Sequence, residues 1–168
     1  MWKPTPRSIF AFSLLAFYLA LVELLFVSTN STTRERDRWA TLSQEMEQNP
    51  LDPALLKESV AAVERISEVH DVQVVGCAGF ARGFRFADYK YAALISRQYE
   101  LATAAYTIKE GKRANKIKAT LYGIDSALAL YNSLRSVEPG TVSRSMDDLL
   151  EVRATGRMPE LVNSKCGL

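Results

Sequence analysis

Around Gly111 the sequence is close to a mirror. Reading backwards, apolar or small residues stand at Tyr106, Ala102, Tyr99, Ile95 and Ala92; reading forwards, they stand at Ile117, Leu121, Ile124, Leu128 and Tyr131. The steps alternate four and three in both directions, so each set lies along one face of a helix. A chain folding back at Gly111 brings Tyr106 level with Ile117, Ala102 with Leu121, Tyr99 with Ile124, Ile95 with Leu128 and Ala92 with Tyr131. Such a ladder predicts an antiparallel αα-hairpin over 88–137, with the turn in Lys109-Glu110-Gly111-Lys112-Arg113. One step further, Asp88 falls opposite Arg135 and would close the open end with unlike charges.

Shorter helices flank this spine. Thr32 and Glu35 form a capping-box pair opening a helix through about Gln48, with Trp39, Leu42 and Met46 on one side. Asp52 caps the next helix with Pro53 at its first position. The expected apolar stripe is Leu56, Val60, Val63, Ile66 (or Ser67) and His70. Residues 71–75 alternate too briefly to require a strand. The segment 76–86 interleaves three glycines with Phe80, Phe84, Phe86, Arg82 and Arg85, and reads as a glycine-relieved crossover pinned by aromatics. Glu138-Pro139-Gly140 stops the hairpin, Ser143 or Ser145 caps a helix to about Ala154, and the tail from Gly156 reads as extended. The prolines, at 4, 6, 50, 53, 139 and 159, leave the long middle free of helix breakers. The expected fold is therefore all-α, a small helical bundle built on the hairpin.

Residues 9–27 are nineteen positions with one charge, Glu23, preceded by Lys3 and Arg7. At about 1.5 Å per residue such a run reaches across a hydrocarbon core of about 30 Å. This divides the chain into a short N-terminal segment (1–8), a transmembrane helix (9–27) and an extramembrane helical domain (28–168). The run reads as a signal anchor, with a cleaved signal peptide as second choice, because the apolar stretch is longer than an ordinary h-region and small residues at a cleavage site are hard to place. The resulting expectation is a single-pass membrane protein in contact with lipid, its main domain extracytoplasmic and periplasmic in a bacterium. Glu23 is four residues from the end of the run, within reach of the interface, and is otherwise a partner contact inside the span.

Catalytic chemistry is hard to find. The chain has one histidine, His70, and no nucleophile–base, P-loop or metal-ligand pattern, so the expectation is no enzyme, no cofactor and no metal. Net charge is +2, which gives no global reason for nucleic acid, and none is expected as a partner. Charge is nevertheless uneven: nine acids against four bases over 35–71, nine bases against three acids over 82–118. Lys109, Lys112, Arg113, Lys116 and Lys118 crowd the hairpin tip, as a solvated tip or as a site for anionic lipid or an acidic partner. Cys77 and Cys166 form a natural disulfide pair if the domain is exported. Phe80, Phe84 and Arg85, with Glu23, are the candidate partner contacts, since Phe and Arg are frequent interface anchors. Two functions compete: a subunit or adaptor of a membrane or envelope complex acting through protein contact, with self-association open, and an exported bundle holding a small molecule near Tyr99, Tyr106, Tyr122 or Tyr131.

Overall fold

The computed structural model describes residues 30–85 and 89–167, and among these every regular element is helical. Seven α-helices follow in order: α1 Thr33–Gln48, α2 Pro53–Glu68, α3 Ala78–Arg85, α4 Ala92–Glu110, α5 Lys116–Val137, α6 Arg144–Ala154 and α7 Met158–Cys166, with one 3-10 turn, Gly111–Arg113.

Helix starts follow local chemistry. Thr32 and Glu35 close a reciprocal capping box on α1: the Glu35 amide donates to Thr32 Oγ1 at 3.1 Å and the Thr32 amide to Glu35 Oε2 at 2.7 Å. Asp52 accepts from the Ala54 and Leu55 amides with Pro53 at the first turn, and Asn115 accepts from the Lys118 amide to open α5. Gly111 ends α4 at a φ of 55°, the left-handed region that a side chain would strain.

The expected hairpin is present as α4 and α5. Gln98 reaches Ser126, Thr103 and Tyr99 lie against Gly123, and the Tyr106 ring lies 5.9 Å from that of Tyr122. These pairs mirror about positions 111 to 114, slightly beyond the expected centre because the 3-10 turn lengthens the connection. Tyr99 and Ile124 are both buried in the core, as the ladder requires. Asp88 lies outside the described residues, and Arg135 pairs instead with Asp147 at 3.1 Å; Lys90 and Glu138, 2.8 Å apart, bridge the open end. The ladder did not reveal that α4 is central. It is buried on nearly every side, packing on α1, α2 and α3 as well as on α5.

Four expectations need correction. The glycine-rich segment is not an irregular crossover: Phe80 and Phe84, one turn apart, both bury, and that burial outweighs the poor helix propensity of Gly79 and Gly83. The tail is helical rather than extended, since Met158 and Val162 bury on one face while Pro159 sits in the first turn and Gly167 caps at a φ of 63°. On α2 the buried face is Ser59, Ala62 and Ile66, leaving Val60 exposed. The single-pass membrane assignment is also corrected: no helix among the described residues is long and apolar enough to cross a membrane. Residues 9–27, on which it rested, and Glu23 within them, lie outside the described residues.

Candidate functional site: a groove between α3, α6 and α7

Cys77, just before α3, is joined by a disulfide to Cys166, the last residue of α7, with their Cα atoms 5.8 Å apart. A buried tyrosine holds the first cysteine in place. Tyr99 Oη accepts from the Cys77 amide at 2.9 Å and donates to the Cys77 carbonyl at 3.0 Å. Tyr131 does the same at the other end of the hairpin, accepting from the Ser143 amide at 3.0 Å and donating to Asp147 Oδ1 at 2.9 Å. Burial pushes both phenols above their ordinary range. Both tyrosines therefore bury their rings in the core and spend their hydroxyls on loops entering α3 and α6. The sequence marks them as ladder positions and as candidate lining of a ligand cavity, and carries no signal for these two clamps.

With α3, α6 and α7 placed in this way, a groove of about 360 Å³ opens between them. Phe80 and Phe84 form its floor, Leu149 and Val152 of α6 and Leu161 of α7 its apolar walls, and Ser145, Asp148 and Lys165 its rim. Gly83 leaves the α3 side open, since a Cβ built on it meets nothing within 4 Å, whereas one on Gly79 would touch Cys77 Sγ and the Lys165 carbonyl at 3.6 and 3.7 Å. Lys165 Nζ stands 5.9 Å from the centre of the Phe80 ring. The expected contact residues are thus brought together in part. Phe80 and Phe84 are each only 5% exposed, so they shape a surface from beneath instead of projecting from it. The Arg85 side chain lies outside the described residues. The partners of the two phenylalanines, on α6 and α7, are distant in sequence and carry no motif; the one available signal was the cysteine pair, which ties the end of α7 to the start of α3.

A second cleft, between α1 and α2, is larger, about 790 Å³, and four of its charged residues, Arg38, Glu58, Arg65 and Glu35, are engaged in ion pairs. Arg38 donates from Nε and Nη2 to both Glu58 oxygens and from Nη1 to Glu45, each at 2.6 Å; Arg65 Nε pairs with Glu35 at 3.1 Å. These contacts hold the Glu58 carboxyl below its usual range, and the Thr32 amide and hydroxyl with Arg65 do the same for Glu35. Two other clefts, one beside the hairpin tip and one below α2, and the two already described are lined by none of Tyr99, Tyr106, Tyr122 and Tyr131. Among the described residues no three His, Cys, Asp or Glu side chains gather as metal ligands, and His70 is exposed just beyond α2.

The five basic residues of the tip, Lys109, Lys112, Arg113, Lys116 and Lys118, are all exposed. No protein-family model matches this chain, and neither a curated protein nor a solved structure matches it.

Proposed function

We propose that this chain is a non-enzymatic helical adaptor, a subunit of a larger assembly that binds a protein partner through the α3/α6/α7 groove. The observation carrying this reading is the groove itself, an apolar floor and walls that no side chain of its own fills, open at the bare Gly83 position. Its volume is near the bottom of the range of about 300–1,000 Å³ for ligand pockets, the size for one bulky apolar side chain rather than a whole helix. The rim selects what stands beside that anchor. Lys165, the exposed cation over Phe80, suits a neighbouring acidic residue on the partner. A disulfide fits work in an oxidising compartment. A chain whose one histidine is exposed beyond a helix end has little to offer as an acid–base centre.

The test is steric. Phe80 and Phe84 are core residues, so truncating them would confuse lost binding with lost folding. Gly83→Trp places an indole in the open groove from a position with free space. Chemical crosslinking of the full-length protein in its native cells, with quantitative mass spectrometry, should show a stoichiometric partner lost in Gly83→Trp. Gly83→Ala, too small to fill the groove, should retain it, and all three proteins should have the same circular dichroism. Retention of every partner by the tryptophan variant would rule the groove out as the docking site.

A further inference from the structure

We infer that the hairpin-tip end of the molecule docks on an anionic lipid surface. Five cations, Lys109, Lys112, Arg113, Lys116 and Lys118, lie within ten residues with Glu110 as the one acid among them. All five are exposed, and none forms an ion pair with a described carboxylate, whereas Arg38, Arg65, Lys90, Arg135 and Arg153 each do. Charge left unpaired on a rigid turn is available to an outside polyanion. Each basic residue held near an anionic membrane adds on the order of fivefold to partition.

Two further features select lipid. Tyr122, 39% exposed, stands one helical turn from Lys118 and against Tyr106, which is one turn before Lys109. A tyrosine pair directly behind a ring of lysines matches the order of headgroup and interface contacts that such side chains make at bilayers. The chain also enters the domain at this same end. The Ser31 amide and hydroxyl both donate to Asp71 at 2.8 Å, and Asp71 shares a cleft with Arg36, Gly111 and Lys112. Ser31, which the apolar run of 9–27 precedes in the sequence, is thus held at the end that carries the basic tip. Nucleic acid would satisfy the charge alone, but the Cys77–Cys166 disulfide belongs to compartments where nucleic acid is not the ordinary polyanion.

The experiment uses the full chain with two sets of vesicles, pure phosphatidylcholine and an equal mixture of phosphatidylcholine and phosphatidylglycerol. Partition is read by co-sedimentation, and the contact surface by hydrogen–deuterium exchange. The mixed vesicles should bind more protein than the neutral ones, should lose that excess at 0.5 M salt, and should protect residues 109–118 selectively. Lys112→Glu/Lys116→Glu/Lys118→Glu should lower the anionic excess at least on the order of a hundredfold. Lys116 and Lys118 lie in the first turn of α5, where acidic residues suit the helix dipole, so the variant should keep its helicity. A neutral Lys112→Gln/Lys116→Gln/Lys118→Gln variant should show a smaller loss. Equal binding to both vesicle types, unchanged partition of the triple variants, or tip-dependent binding of duplex DNA without an anionic-vesicle excess would overturn the proposal.

Discussion

Glu47 stands half-buried at the end of α1, where Ser126 donates to its carboxylate and Gln98 Nε2 approaches the same oxygen at 3.4 Å. Gln98 also donates to the Ser43 carbonyl and to Ser126 Oγ, both at 2.7 Å, so this group pins α1 to both arms of the hairpin. Burial raises the Glu47 carboxyl above its ordinary value, and the two hydrogen bonds offset only part of that. The folded state then holds the proton more tightly than the unfolded chain. The cost of ionising Glu47 is absent below its unfolded pKa of about 4.5 and fully present once pH exceeds the raised folded value. Glu47→Gln keeps an acceptor for Ser126 without the charge. It should unfold at higher urea than the parent at pH 7, and the gap should close as pH falls toward 4.5. A constant gap, or a weaker variant at pH 7, would mean that the carboxylate stabilises the contact. Nothing in the sequence around Glu47, Gln98 and Ser126 marks this group, because its members are brought together only by the packing of three helices.

At the scale of elements, two helical glycines should respond to the same substitution in opposite directions. Gly123 is where α5 crosses α4, and an added Cβ there would collide with Thr103 Oγ1 and lie 2.7 Å from Tyr99 Cδ2. The Tyr99 hydroxyl is held at Cys77, so its ring cannot swing aside without breaking that clamp. Gly123→Ala should therefore destabilise the protein by about 1–3 kcal/mol, the range for overpacking a filled core. Gly83→Ala, on the open side of α3, should stabilise by up to about 1 kcal/mol through helix propensity. Chemical denaturation of both variants checks the pair, and equal shifts would refute the close crossing at Gly123. The hairpin, the caps at Thr32 and Asp52 and the helix through Ala154 were legible because each depends on residues within a few positions, or on a period sustained over several turns. The α3 and α7 helices were not. Each is shorter, carries a glycine or proline signal against itself, and is kept helical by what its apolar face meets elsewhere.

Across the whole molecule, the Cys77–Cys166 bond joins positions 89 apart and fastens α7 to the loop before α3. The chain-entropy account assigns such a closure on the order of 4–5 kcal/mol. Cys166→Ser should lower the urea midpoint accordingly and speed hydrogen exchange in 158–166 and 78–85, while α4 and α5 keep their protection until global unfolding. Unchanged exchange in α7 would show that Met158 and Val162 hold that helix without the bond. The sequence by itself determined the helical class and the antiparallel hairpin with its approximate register, because periodicity and capping residues are local facts; it offered Cys77 and Cys166 as a pair only on condition of export, and the structure joins them. Only the tertiary structure decided that α4 lies at the centre, that Phe80 and Phe84 form a floor rather than a protruding surface, and that the basic tip shares one end with Ser31. Those relations depend on which faces bury together, and burial is shared between segments far apart in sequence.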